Sequence, residues 1–440
     1  MTLREEVKGI LNNRNAEEEA EPGTRYKRKD RYVKQKRTLR KPYLIVLLVM
    51  AVALIGLLSM MILLNILPGD LTLTLAALMV GILIAAGVLF SGRRRVTRVI
   101  GCIVALVFIV ITAAITVYMG DTFVMFQKIS GSTANATGPV ARSVDVTNEA
   151  FNIYITGIDQ WEDEKGEDLE RSDVNMIVTV NPVTKKILLT SIPRDTYVKL
   201  HTAQQMDKLT HTGVYGVSET LGTVEDWMGI DLNYYVKLNF TGVKYIIDAM
   251  GGIKVYSPVA FKSDISDYEY VKGWNKMGGR KALYFARERH AFEGGDSDRV
   301  DNQQRLVEAV IKTMTSHTTL LTKYGDIMAA AGDNLETNMS PKDMSGLVKM
   351  QLGDLAEWDI ETQKIKGDYD QDYVASLTQS QKFDVYKADP SSIRSCVEKI
   401  REIRNPDLTE LAEARKNRSR SFFVNAVKRL LEKKDKDEDE

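Results

Sequence analysis

The chain has 440 residues, with 59 Lys+Arg balanced by 59 Asp+Glu, 4 His and 2 Cys. Zero formal net charge argues against a general nucleic-acid binder. Cys102 and Cys396 lie far apart, one of them inside an apolar run, so no disulfide framework is expected. The length allows one large domain with accessory parts.

Charge is locally uneven. Arg25 to Lys41 holds ten Lys/Arg and one Asp. Three uncharged apolar runs follow, Tyr43–Leu67, Leu71–Ser91 and Val99–Met119. Each reaches the ~20 residues that a helix needs to cross hydrocarbon. The first two are joined by Pro68-Gly69-Asp70, and the last two by a loop containing Arg93-Arg94-Arg95 and Arg98. Positive charge stays on the cytoplasmic side, which places the N-terminus and this loop inside and everything after Met119 outside. The expected layout is a basic cytoplasmic segment (1–42), three transmembrane helices (43–119) and an extracytoplasmic stalk (120–150). A folded domain (151–405) and a charged tail (406–440) follow.

The outer region reads as alternating strands and helices. Phe151–Gly157, Val174–Val180 and Lys186–Ile192 are rich in β-branched residues, and Asn181-Pro182 begins a turn that makes the last two a hairpin. Helices are expected at 214–228, 241–250, 280–289, 298–316, 341–352 and 390–404, with strands at 234–239 and 253–256. This pattern specifies an α/β fold with a mixed central sheet. Phe423, Val427, Leu430 and Leu431 recur at helical spacing among basic residues. The tail carrying them would rest on a membrane surface or fray.

If the first three strands run up, down and up, Asp159, Arg171, Asp173, Arg194 and Asp195 gather on one rim of the sheet. Ligands of open α/β folds bind at such rims. Guanidinium groups grip phosphate through a planar fork. Asp159 and Asp173 would either hold Mg²⁺ beside that phosphate or serve as loop caps and ion-pair partners. Arg299 and Gln303 are four apart on an expected helix and share a face. Arg287 and Arg289 lie ~200° apart in a regular helix, so the helix must end there if both bind one ligand. Asp195 is the candidate general base. The sequence carries no HExxH, GxSxG or GxxxxGK[ST] pattern. The histidines lack metal-ligand spacing, although His211 stands close enough in sequence to line the rim.

These segments together resemble the LytR-CpsA-Psr family of bacterial envelope proteins. The likeness runs from about Phe151 to Arg404. It rests on Gly157-Ile158-Asp159, Arg171-Ser172-Asp173, Ser191–Asp195, Lys208-Leu209-Thr210-His211, Tyr235–Phe240, Gly251-Gly252-Ile253, Ala286–Arg289 and Asp298–Arg305. The multi-pass anchor is similar to that of the capsule-type branch. Asp301 is a departure, because capsule-type relatives often carry a basic residue there.

The resemblance implies a three-layer α/β/α domain that binds a polyprenyl phosphate or pyrophosphate lipid. It implies transfer of a capsular or teichoic-acid-like glycopolymer to peptidoglycan through a phosphodiester. It assigns Mg²⁺ to Asp159 and Asp173, and the phosphates to Arg171, Arg194, Arg287, Arg289, Arg299 and Gln303. Two other functions stay open at this point: a sensor that binds the lipid-linked precursor without turnover, and a lipid pyrophosphatase.

Overall fold

The computed structural model describes residues 41–131, 139–158, 172–289, 291, 295–332, 334–354, 356–377 and 380–418. Three apolar helices lead: α1 (Lys41–Leu64), α2 (Gly69–Phe90) and α3 (Arg95–Gly131), each long enough to cross a membrane. They pack along a seam that includes Met50, Leu54, Ala86, Phe90 and Phe108. Their remaining faces are exposed apolar surface, as a lipid-facing bundle requires.

In chain order the α/β domain begins with β1 (Phe151–Ile158), β2 (Ser172–Asn181), β3 (Lys186–Ser191), β4 (Tyr197–Lys199) and β5 (Met206–Lys208). A 3₁₀ turn (Leu209–Tyr215), α4 (Val217–Met228), β6 (Tyr234–Asn239), α5 (Phe240–Ala249) and β7 (Ile253–Ser257) follow. Next are β8 (Phe261–Lys262), β9 (Glu269–Tyr270), β10 (Gly273–Met277), α6 (Gly279–Arg287) and α7 (Asp296–Met314). The chain continues through α8 (His317–Thr322), α9 (Tyr324–Ala331), β11 (Leu335–Thr337) and α10 (Pro341–Asp354). It closes with β12 (Asp359–Lys364), β13 (Gly367–Asp372), β14 (Phe383–Ala388), α11 (Pro390–Arg404) and α12 (Leu408–Arg418).

A six-stranded mixed sheet, ordered β11-β6-β1-β2-β3-β12, forms the middle layer. β1 is antiparallel to β2 and β2 to β3, while β6 runs parallel to β1 and β12 parallel to β3. The period-2 alternation of these strands divides the core between two faces. Tyr154, Ile177, Leu188 and Tyr235 pack on one side against Leu221 and Val224 of α4 and Val397 and Ile400 of α11. Phe151, Met176, Val178, Leu189 and Tyr234 pack on the other against Val307 and Ile311 of α7 and Leu347 of α10. Helices therefore cover both faces, and the three-layer arrangement follows. α5, α6 and α9 close a neighbouring cluster around Ile247, Phe285 and Ile327.

The helix expected from 214 is split, because Gly216 takes φ 97° between the 3₁₀ turn and α4. The expected stalk is more structured than its composition indicates. α3 continues to Gly131, and Val146 is buried in the same core cluster as Phe151. The domain also touches the helices: Gly325 N donates to Tyr118 Oη at 2.8 Å, and Lys349 Nζ to Asn65 Oδ1 at 2.7 Å. Both contacts lie at the end of the bundle opposite Arg93 and Arg94. The tail from 419 onward, with its expected amphipathic pattern, lies outside the described residues.

Candidate functional site

Strand direction determines which residues share a rim. β1, β3, β6 and β12 all point the same way, so Ile158, Ser191, Asn239 and Lys364 end on one edge of the sheet, where β2 begins. At ~4.8 Å per strand, the edge from β6 to β12 spans about 20 Å. Asp159 and Arg171, expected at this rim from the sequence, lie outside the described residues.

Asp173 and Arg194 meet at the rim. The β1–β2 register pairs Gly157 with Val174 and Ile158 with Ser172, leaving Asp173 as the extra residue of a bulge. A bulge interrupts alternation and re-aims a side chain. The Asp173 carboxylate accepts from Arg194 Nη1 at 2.8 Å through Oδ1. Arg194 Nε lies 3.5 Å from Asp195 Oδ2, and Asp195 Oδ1 accepts from Lys208 Nζ at 3.1 Å. Two carboxylates and two cations thus alternate, Asp173–Arg194–Asp195–Lys208, with the turn after β3 between β2 and β5. The backbone is pinned as well, since Thr210 N donates to Arg194 O and Tyr386 N to Asp195 O, both at 2.8 Å.

Beneath this cluster is a polar patch that sequence reasoning missed. Tyr154 Oη donates to Asn175 Oδ1 at 2.5 Å, and Ser172 Oγ reaches the same oxygen at 2.6 Å. Burial pushes the Tyr154 hydroxyl well above its ordinary pKa, so it acts as a fixed neutral donor. Isolated Tyr, Ser and Asn residues in a strand give no local signal. Only the pairing of β1 with β2 brings them together.

Arg287 and Arg289 are separated by a helix end. α6 stops at Arg287, and Glu288 takes an extended conformation with φ −64° and ψ 133°. The Arg287 guanidinium sits 4.9 Å from the centre of the Phe240 ring, and Phe240 directly follows β6 at the same rim. Glu288 between them is 0% exposed. It accepts from Ser263 Oγ at 2.7 Å and from the N–H groups of Asp264, Arg289 and Ala291 at 3.0, 3.0 and 3.4 Å. Burial alone would raise its pKa, but these hydrogen bonds outweigh it and the net displacement is downward. Glu288 appeared in the sequence only as the residue between two arginines.

Arg299 and Asn302 are buried at 7% and 1% exposure, and Gln303 is half-buried, on the first turns of α7. Asp301 points to a different side, where Lys364 Nζ donates to its Oδ1 at 2.7 Å and to Ser297 Oγ at 2.9 Å. The departure at Asp301 is thus matched by a lysine at the end of β12. Asn302 Nδ2, Ser191 Oγ and Thr210 Oγ1 are buried without a hydrogen-bond partner among the described residues. These lie on α7, at the end of β3 and on the strap bonded to Arg194.

His211 is a structural residue. Its Nδ1 lies 2.7 Å from Asp207 Oδ1 and 2.8 Å from Ser376 Oγ, and Asp207 is fully buried. Burial raises the Asp207 pKa, and bonds from His211, Ser376 and Lys208 N bring it below the usual value. Among the described residues no group of three or more His, Cys, Asp or Glu is arranged to hold a metal.

A family model described as the LytR_cpsA_psr family matches residues 122–400. A polyisoprenyl-teichoic acid–peptidoglycan teichoic acid transferase TagU from Bacillus licheniformis is 28% identical over 334 residues, covering 71% of this chain and 98% of that protein. A transferase of the same name from Enterococcus faecalis is 32% identical over 245 residues, covering 52% of this chain and 80% of the relative. The crystal structure of protein gbs0355 from Streptococcus agalactiae superposes with a TM-score of 0.50 at 24% identity. It covers 61% of this chain and 94% of that one, a likeness of fold.

Proposed function

The chain belongs to the LytR_cpsA_psr family, and on that premise we propose that it is a membrane-anchored transferase that moves a glycopolymer from a polyprenyl pyrophosphate carrier to peptidoglycan. The observation that carries the reading is the Arg194 cluster. A guanidinium flanked by two carboxylates stands at the rim where Arg287, reached through Phe240, and the start of α7 also arrive. Three buried polar groups at Asn302, Ser191 and Thr210, without hydrogen-bond partners among the described residues, would supply further hydrogen-bonding capacity for a polar ligand there. Teichoic acid, which the names of both relatives specify, and capsular polysaccharide share the pyrophosphate that this rim would bind.

In the proposed step a sugar hydroxyl of peptidoglycan attacks the phosphorus that carries the glycan. A new O–P bond forms, the P–O bond to the polyprenyl phosphate breaks, and the hydroxyl proton leaves to solvent. Such a transfer needs mainly alignment and charge neutralisation. Arg194, Arg287, Arg289, Arg299 and Gln303 would bind the phosphate oxygens, with Arg171 from the neighbouring connection. Sequence reasoning named Asp195 as the proton acceptor. Its contacts with Arg194 and Lys208 favour a positioning role, holding both cations at the rim.

Mg²⁺ is proposed as the cofactor. It is commonly held by one or two carboxylates together with substrate phosphates and waters. Asp173 fits that chemistry, since only its Oδ1 is engaged by Arg194. Asp159 would be the second ligand. Bound there, Mg²⁺ would neutralise charge developing on the phosphate oxygens.

The membrane orientation is proposed on the same basis. The domain contacts the α1–α2 turn and α3 at the end opposite the arginine loop, so a cytoplasmic N-terminus leaves the domain outside. The full chain, incubated with a lipid-linked glycan, Mg²⁺ and peptidoglycan, is expected to form a glycan–peptidoglycan phosphodiester, and chelation of the metal to abolish it. A free glycan phosphate released to water together with polyprenyl phosphate would establish a pyrophosphatase. Bound but unconverted lipid would establish a sensor.

A further inference from the structure

On the far side of α7 from Arg299 lies a groove of about 560 Å³ between β12, α7 and the first turns of α11. We propose that it seats the acceptor, an amino-sugar glycan chain. The inference rests on the transferase reading for the identity of the acceptor, and on four observations for the site.

The first is position. β12 lies beside β3 and runs parallel to it, so Lys364 ends the strand at the rim where Arg194 follows β3. The groove therefore begins one strand spacing, about 5 Å, from the end of β3, the strand that leads to Arg194. A hydroxyl presented there lies beside the reacting phosphorus, whereas the opposite edge of the sheet is a full strand length away.

The second is chemistry. Thr362, Lys366, Ser391 and Ser395 line the groove and are exposed, offering hydroxyl and ammonium groups to an extended polar chain. Asp301 and Asp389 also line it. Mixed donors and acceptors suit sugar hydroxyls and acetamido groups, while the two carboxylates disfavour a polyphosphate. Lys366 suits the carboxylates that hang from a peptidoglycan chain.

The third is rigidity. Ser392 Oγ accepts from Lys366 N at 2.8 Å, and Asp389 N donates to Lys366 O at 2.8 Å, so the two walls are joined at the floor. Asp389 also caps α11 through Ser391 N at 2.8 Å. A site with fixed walls orders few groups when its ligand arrives.

The fourth is linkage to the donor. Lys364 ties β12 to Asp301 and Ser297 on α7, the helix that carries Arg299 and Gln303. Gln304 Nε2, from the same helix, donates to Gln363 O at 2.5 Å. One helix thus serves the phosphate rim with one face and the groove with another.

The test uses the full chain in detergent, titrated separately with soluble uncross-linked peptidoglycan glycan chains and with polyprenyl pyrophosphate. S395W, which fills the groove, and K366E, which reverses its charge, alter exposed positions. Each is expected to raise Kd for the glycan chain about tenfold or more, K366E by loss of a charged hydrogen bond and S395W by steric exclusion, and to leave lipid binding unchanged. Glycan affinity equal to the parent in both variants overturns the proposal, as does a parent chain that does not bind the glycan. If the parent binds glycan through the groove but forms no phosphodiester, the transferase reading fails and the binding site stands.

Discussion

Arg194 and Asp173 are held together at 2.8 Å, which ties the turn after β3 to the bulge that opens β2. The pair is half-open to solvent, with side-chain exposures of 26% and 17%. A partly exposed ion pair contributes little stability by itself. Here a cation and a carboxylate are presented at the strand ends, where a phosphate and its metal would be received.

Arg194→Ala should therefore reduce glycan transfer much more than stability. Loss of one preorganised donor to a transition-state oxygen costs on the order of 10²–10³ in rate, whereas a partly exposed ion pair contributes about 1 kcal/mol or less. Transfer assays paired with thermal unfolding decide this. Unchanged turnover in a folded Arg194→Ala chain would remove Arg194 from the site.

Glu288 should behave in the opposite way, as a structural residue at the site. Glu288→Gln places an amide among the donors of Ser263, Asp264, Arg289 and Ala291, and leaving buried donors without a partner costs about 1–3 kcal/mol each. The pH dependence follows from the lowered pKa. Its stabilisation is complete above the unfolded carboxylate value and is lost as pH falls through the folded one. Asp207, also lowered, acts in the same direction. Denaturant midpoints should therefore drop below about pH 4.5, with a shallower acid slope in Glu288→Gln. An identical acid slope in parent and variant would show that Glu288 is not held ionised.

Much of the fold was legible in the sequence because its main signals are local. Runs of β-branched residues marked β1, β2 and β3, and apolar stretches without charge marked α1, α2 and α3. The helix expected at 390–404 matches α11, whose first residue is Pro390. Strands β12, β13 and β14 were missed because Asp-Ile-Glu-Thr-Gln-Lys and Gly-Asp-Tyr-Asp-Gln-Asp are polar edge segments with no apolar alternation. The rim was inferred from strand direction, which a hairpin fixes. The bulge at Asp173, the buried Glu288 and the Lys364–Asp301 pair depend on contacts between segments distant in the chain, and no local pattern announces them.

Asp301 and Lys364 pair across 63 positions of sequence. Both side chains are 29% exposed, so their coupling energy in a double-mutant cycle should be modest, about 0.2–1 kcal/mol. The larger effect should be on geometry. Asp301→Ala is expected to weaken glycan binding with little change in unfolding, because Lys364 loses the carboxylate that holds it against α7. Equal glycan affinity in Asp301→Ala and the parent would show that the pair plays no part in the groove.

The contact between Lys349 and Asn65 offers a direct reading of topology. Asn65 follows α1 in a left-handed conformation with φ 48°, and its Oδ1 accepts from Lys349 Nζ at 2.7 Å. Asn is among the few non-glycine residues that tolerate this conformation. The turn it opens belongs to the three apolar helices, and Lys349 belongs to the α/β domain. If the domain lies outside the membrane, both positions are accessible to reagents that do not cross the bilayer. Asn65→Cys combined with Lys349→Cys, treated on intact cells with a short impermeant bis-thiol reagent, should give an intramolecular cross-link. Cys396 is buried and does not compete. Cleavage between the two sites followed by denaturing electrophoresis reports the link as fragments that stay together. A cross-link that forms only after the cells are opened would place the domain inside, and the lipid-linked substrate proposed for the rim would then have to be sought on the cytoplasmic face.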